Sequence, residues 1–139
     1  MRSSVCGLAL VGAFFIAVAG LNVVQAAEHE NKPKVEVTKL LQGSLAGVEG
    51  KDVIITHFAL PPGHVGGRHF HPGPVFVYVV EGALTIETGG KNQTISAGEL
   101  YQEPLRQEMQ ARNLSTTDGV KFVVFLVGDA GKPMMIKAE

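Results

Sequence analysis

The stretch GGRHFHPGPVFVYVVEG, residues 66–82, carries the features that decide the fold. It holds His69 and His71 one residue apart, a Pro-Gly turn, and then a run of β-branched and aromatic residues. Side chains alternate along a β-strand, so His69 and His71 would point to the same face. Two imidazoles on one face suit a metal ion, which needs a third and usually a fourth ligand from elsewhere in the chain.

The rest of the sequence continues this strand-like pattern. Short apolar runs such as DVIITHFAL and VKFVVFLV alternate with turn signals at Pro61-Pro62-Gly63, Gly89-Gly90, Ala97-Gly98 and Asp118-Gly119. Strands at such regular spacing predict an all-β sandwich or barrel. No stretch has a sustained 3.6-residue period that would indicate a long helix.

The chain of 139 residues is short enough to form a single domain. Residues 1–26 have one early positive charge, an apolar run, and small residues at Val24 and Ala26. This pattern predicts a secretory signal peptide cleaved near Ala26 rather than a membrane anchor, because the apolar run is short for a bilayer span. We therefore expect a secreted or periplasmic protein with a flexible start at 27–34, a domain at 35–130 and a C-terminal tail at 131–139.

Composition excludes several classes of function. The chain has 12 Lys and Arg against 13 Asp and Glu without a basic patch, so nucleic acid is not an expected partner. Its single cysteine, Cys6, lies in the predicted signal peptide. Disulfides and thiol catalysis are therefore excluded for the mature chain, and no membrane association is expected after cleavage.

Two motifs in register resemble those of the RmlC-like cupin superfamily, and the chain is similar to small single-domain members of the cupin type-2 group. The first motif is Gly, five residues, His-x-His, three or four residues, Glu, six residues, Gly, which here falls on Gly63, His69, His71, Val75 and Gly82. The second is Gly, five residues, Pro-x-Gly, two residues, His, three residues, Asn, which falls on Gly98, Pro104, Arg106, Met109 and Asn113. The resemblance implies a cupin-type jelly-roll β-barrel in a single all-β domain.

The same comparison shows where this sequence departs from the family. In metal-binding cupins the ligands are the two motif histidines, the Glu and the second-motif His. Here Val75 stands at the Glu position and Met109 at the last His position, while Arg106 replaces the turn Gly. The resemblance therefore implies that only His69 and His71 remain of the ligand set.

Glu103 is the candidate for a third ligand. Tyr101 and Glu103 alternate onto one face of the strand before Pro104, and cupins usually place inward-pointing apolar residues at these positions. An ionised carboxylate that points inward costs several kcal/mol unless a cation or hydrogen bonds meet it. We predict that His69, His71 and Glu103 bind the metal, although a register shift of one residue would turn Glu103 to solvent.

Other side chains are candidates for the pocket around this site. Met109 is either a flexible apolar filler of the barrel or a thioether ligand, and filling is favoured because the sequence shows only one soft ligand there. His57 and Tyr101 are pocket candidates, but alternation does not fix the face of His57. His64 sits in a glycine-rich loop, where a side chain more often faces solvent.

The resemblance implies a divalent metal ion as cofactor, with iron, manganese, zinc, nickel and copper all left open. One hypothesis is a metal-dependent enzyme similar to dioxygenase-like or isomerase-like cupins, acting on an oxygen-rich small molecule. The alternative is a non-catalytic periplasmic cupin that binds a metal or a small ligand. Neither the substrate nor a general base is identified by the sequence.

The residue pattern of the strand VFVYVV predicts that its outer face is covered. It is apolar on both faces, with Val75, Val77 and Val79 on one and Phe76, Tyr78 and Val80 on the other. An antiparallel strand with one face in water should alternate polar and apolar residues. We therefore expect the outer face to be covered in a homodimer, or else by the chain's own residues 35–41.

Overall fold

In the structure, a computed structural model that describes residues 34–139, the apolar runs of the sequence form β-strands. The signal peptide predicted for residues 1–26 and most of the predicted flexible start lie outside the described residues. The ten strands of the described part are β1 (Glu36–Ser44), β2 (Lys51–Leu60), β3 (His69–Phe70), β4 (Val75–Glu81), β5 (Ala83–Thr88), β6 (Lys91–Ser96), β7 (Leu100–Gln102), β8 (Met109–Arg112), β9 (Val120–Asp129) and β10 (Ile136–Lys137).

The strands form two antiparallel sheets of five strands each. Sheet A has the order β1-β2-β9-β4-β7, and sheet B has the order β10-β3-β8-β5-β6. One hydrophobic cluster joins them, since it contains Val77 and Leu126 from sheet A together with Leu84 and Met109 from sheet B. The predicted all-β jelly-roll architecture is therefore confirmed.

Alternation along β4 places the core where the sequence indicates. Val75, Val77 and Val79 are buried, whereas Tyr78 and Val80 on the opposite face are exposed. Gly82, which ends the first motif, adopts a positive φ of 74° as β4 turns into β5. A Cβ there would lie 2.6 Å from the carbonyl oxygen of Gly119, so the turn requires glycine.

The domain extends beyond its predicted end at residue 130. Residues 131–139 were expected to form a tail, but Ile136 and Lys137 pair with Phe70 and His69 as strand β10. The segment packs back because it carries apolar side chains, and Met134 contacts the hydrophobic cluster. The expected tail thus contains the edge strand of sheet B, β10.

The N-terminal strand does not cover the outer face of β4. Strand β1 pairs only with β2, at the far edge of sheet A from β4. One outer row of this sheet runs Leu41, Ile55, Phe125, Phe76, and the next contains Val123, Tyr78 and Leu100. This apolar outer face is a suitable surface for the predicted homodimer. The alternative prediction, in which residues 35–41 cover this face, is wrong. In the described part of the chain, no helix could span a membrane.

We expect the mature protein to be a dimer at micromolar concentration, measured by light scattering. Leu100→Lys should shift it toward the monomer, because Leu100 is 64% exposed on the outer row beside Tyr78 and a buried charge there is costly. The matched control is Leu105→Lys, since Leu105 is similarly exposed, at 58%, but lies in the loop after β7. A monomeric parent protein would contradict the prediction.

Arg106 shows a local strain at the position where the family has glycine. Its φ is 55°, and it is the one non-glycine residue with positive φ in the described part of the chain. The left-handed conformation costs an L-residue about 1–2 kcal/mol. The strain follows directly from the substitution noted in the second motif.

Arg106→Gly should therefore raise the free energy of unfolding by about 0.5–1 kcal/mol, because the strain relieved exceeds the added entropy of glycine in the unfolded chain. Denaturant unfolding of the parent and the variant measures the difference. Gly98→Ala is a control with the opposite sign. Gly98 has φ 87° with open space around it, so the alanine variant should be less stable through backbone strain alone. An unchanged midpoint for Arg106→Gly would contradict the account.

Candidate functional site

A cavity of about 330 Å³ opens between the two sheets. Apolar side chains from both sheets form most of its wall, including Phe58, Val77, Leu84 and Phe122. The polar residues on it are His64, Arg68, His69, His71, Glu103 and Lys137. A concave apolar site with a few convergent polar groups is the usual form of a small-molecule pocket.

His71 is buried, and its ring is oriented by the C-terminal segment. Its Nδ1 lies 2.6 Å from the carbonyl oxygen of Met134. A carbonyl can only accept, so Nδ1 carries the hydrogen and donates it. Burial lowers the pKa of His71, although the Met134 carbonyl opposes that shift. The ring is therefore held neutral, with a lone pair on Nε2.

Glu103 faces that lone pair. The alternation of β7 continues one residue past its end, so Glu103 lies on the inner side and is 8% exposed. Its backbone N–H donates to the carbonyl of Val75, which fixes this position. Glu103 Oε2 lies 3.2 Å from His71 Nε2 but makes no hydrogen bond. When Glu103 is ionised, two acceptors thus face each other inside the protein.

His69 lies beside this pair. Its Nδ1 is 2.9 Å from the carbonyl of Gly67, which leaves Nε2 available in the neutral ring. The His69 and His71 rings are perpendicular, with centroids 4.9 Å apart. In sheet B, His69 pairs with Met109 on one side and with Lys137 on the other. All three residues line the cavity.

The fit of these residues to a metal ion is incomplete. Between residues 34 and 139, no group of three or more His, Cys, Asp or Glu side chains is placed to hold a metal ion. His71 and Glu103 are already close, whereas His69 does not complete a set of three with them. The role of His69, His71 and Glu103 as ligands therefore stays a prediction, although all three reach the cavity wall.

Two predicted pocket residues lie elsewhere. His57 pairs with Val123 in the outer row of sheet A that contains Tyr78, so it points away from the cavity. Its strand has apolar residues on both faces, and only the pairing of β2 with β9 decides which one is inside. Tyr101 does point inward opposite Val77 and packs against the hydrophobic cluster, but it is not part of the cavity wall.

Several wall residues could not be placed from the sequence. The expectation that His64 faces solvent is wrong, because His64 lines the cavity. Its loop is held by a hydrogen bond that the Asn113 N–H donates to the His64 carbonyl. Met134, Met135 and Lys137 come from the segment expected to be a tail. The apolar run Met134-Met135-Ile136 was the one signal in the sequence that this segment packs against the domain.

Residues 56–126 match the cupin domain family, and the chain belongs to this family. The matched region contains both motifs and strands β3 to β8. Among curated proteins, none matches the chain.

Solved structures agree with this assignment. A cupin domain from Bordetella pertussis is 25% identical, with a TM-score of 0.54, and the match covers 69% of this chain and 95% of that one. A conserved protein of unknown function from Streptococcus pyogenes is 20% identical, with a TM-score of 0.59, over 73% of this chain and 80% of that one. The DMSP lyase DddQ from Ruegeria pomeroyi is 15% identical, with a TM-score of 0.54, over 62% of this chain and 43% of that one. The last two share the fold.

The buried carboxyl group predicts a pH dependence of stability. Burial raises the pKa of Glu103 from 4.5 to about 7. Between these values the folded state binds more protons than the unfolded state, so the contribution of Glu103 to stability falls as pH rises through this window. In metal-free protein, the free energy of unfolding of Glu103→Gln should therefore rise relative to that of the parent by on the order of 3 kcal/mol between pH 4.5 and pH 8.

Denaturant unfolding in the presence of a chelator, at several pH values, measures this difference. His71 has the opposite tendency, because its lowered pKa costs stability as pH falls below 6.5, but it is present in both proteins. Glu49→Gln, at an exposed carboxylate, is the control and should track the parent. A constant gap between Glu103→Gln and the parent would contradict the raised pKa.

Proposed function

We propose that this chain is an exported small cupin that binds a divalent metal ion through His69, His71 and Glu103. The cavity beside these residues takes a small molecule. Export rests on the pattern of residues 1–26, and the metal site rests on the His-x-His motif together with the buried carboxylate.

The observation that carries the proposal is the contact between Glu103 Oε2 and His71 Nε2. Oε2 is the one buried side-chain nitrogen or oxygen atom without a hydrogen-bond partner among residues 34–139. A buried carboxylate without a partner is costly, and so is an imidazole lone pair directed at it. A cation bound to both atoms removes both costs. A proton shared between them is the competing solution.

The separation of the two atoms suits neighbouring ligands of one ion. Metal bonds to nitrogen and oxygen are about 2.1 Å long. Ligands at tetrahedral or octahedral angles on such an ion lie about 3.0–3.4 Å apart, and the observed distance is 3.2 Å. Each imidazole has its Nδ1 hydrogen-bonded to a carbonyl, which is the usual support of a metal-binding histidine.

The wall of the cavity restricts which small molecules can bind in it. A metal ion with open positions would polarise an oxygen group of the ligand as a Lewis acid or activate dioxygen. The mainly apolar wall gives a sugar-like molecule few hydrogen-bond partners, and unpaired polar groups weaken binding. A ligand with an apolar body and one or two oxygen groups near His71 fits better. Dioxygenase-like and isomerase-like chemistry both remain compatible with such a ligand.

The second candidate is a binding protein without turnover. Val75 and Met109 replace two of the family's four ligands, and a weaker ligand set favours reversible binding over sustained catalysis. Oxygen uptake by the metal-loaded protein, with flavonoid or other enediol-like probes, separates the two candidates.

Metal analysis of the mature protein tests the site. The protein is taken from the exported fraction, where its first residue should be Ala27. We expect close to one divalent ion per chain. His69→Ala should abolish binding, and Glu103→Gln should lower occupancy at least tenfold because the one charged ligand is lost. Met109→His should tighten binding by restoring the family's ligand, whereas Met109→Leu should leave divalent occupancy unchanged.

His57→Ala is the matched control, since it removes a histidine from the outer face of sheet A and should leave the metal content unchanged. The proposal is wrong if the parent protein binds no divalent ion. It is also wrong in its third ligand if Glu103→Gln keeps full occupancy while His69→Ala loses it.

A further inference from the structure

We propose that the same cavity is also a binding site for the cuprous ion, with the thioether of Met109 as third ligand beside His69 and His71. This inference rests on the proposed function only in that the His-x-His pair binds metal. It differs in the third ligand and in the oxidation state of the ion.

The methionines of the domain converge on this cavity. The chain has four methionines, and the three that follow Met1, namely Met109, Met134 and Met135, all line the cavity with His69 and His71. The sequence suggested only one soft ligand at the site. The packing of the C-terminal segment adds two more methionines to the wall. Met109 is therefore not the lone soft residue that the sequence suggested.

Met109 is the methionine that is best placed for a ligand. It stands directly opposite His69 in the pairing of β3 with β8, and it is 2% exposed. Cβ atoms of residues paired in this way are about 4.5–5.5 Å apart. A flexible thioether can therefore reach an ion bound to the neighbouring imidazole.

The nitrogen and oxygen donors His69, His71 and Glu103 are not already grouped as a set of three. No group of three His, Cys, Asp or Glu side chains comes together for a metal in residues 34–139. Both imidazoles have Nδ1 occupied by a carbonyl, so each has only Nε2 to offer. Cu(I) needs only two or three ligands, and thioethers select it over hard divalent ions.

The charge of the cavity also favours a monovalent ion. The cost of moving an ion from water into an apolar surrounding increases with the square of its charge. Glu103 is the one carboxylate on the described wall, which also carries Arg68 and Lys137, so a divalent ion would keep a net positive charge inside. A cuprous ion held by two neutral imidazoles and a thioether brings a single charge.

Anaerobic titration of the mature, metal-free protein with Cu(I), in competition with a chromophoric chelator, measures the affinity. X-ray absorption of the Cu(I) form should show nitrogen and sulfur scatterers. Met109→Leu conserves volume and should disturb packing little. We expect it to lower Cu(I) affinity at least tenfold and to remove the sulfur scatterer, while Zn(II) binding remains as in the parent.

Met135→Leu is the matched control, because it makes the same change on the same cavity wall at a residue that is 46% exposed; it should keep both the affinity and the sulfur scatterer. Glu103→Gln should lower Zn(II) affinity by a larger factor than Cu(I) affinity, because the carboxylate is a ligand only of the divalent ion. Cu(I) bound without sulfur, or a loss caused by Met134→Leu and not by Met109→Leu, overturns this inference alone. A parent protein that binds neither Cu(I) nor Zn(II) overturns the proposed function as well.

Discussion

The contact between Glu103 and His71 is the constraint on which the site depends. The carboxylate oxygen and the imidazole nitrogen are both acceptors, they lie 3.2 Å apart, and both side chains are buried. A barrel core of this size could have been filled with apolar residues at lower cost, since an unpartnered carboxylate opposes folding. The rise in the pKa of Glu103 to about 7 has this burial as its cause. Whatever stabilises the pair has to be positively charged or has to be a proton.

The C-terminal segment supports this contact from the other side. The Met134 carbonyl fixes the ring of His71 and leaves Nε2 without a hydrogen. Strand β10 then places Lys137 beside His69 in sheet B. A segment far from the His-x-His motif in sequence thus sets the tautomer of one histidine and closes the cavity around both.

The cavity combines hard and soft donors around one pair of imidazoles. Glu103 approaches from the end of β7 in sheet A, while Met109 stands beside His69 in sheet B. A hard divalent ion binds the carboxylate in preference, whereas a soft monovalent ion prefers the thioether. In the metal site proposed for this cavity, the two departures from the family's ligand set, Val75 and Met109, would change which ions are favoured rather than simply weaken binding.

The sequence by itself determined the strand pattern, the two motifs and the inward direction of Glu103. These features are local, because period-two alternation and turn residues act over a few positions. Tertiary structure decided the rest. The pairing of β2 with β9 turned His57 outward, although both faces of its strand are apolar. The packing of residues 131–139 brought Met134, Met135 and Lys137 to the cavity. Contacts between segments so distant in the chain depend on how two complete sheets pack, and a local pattern of residues does not contain that information.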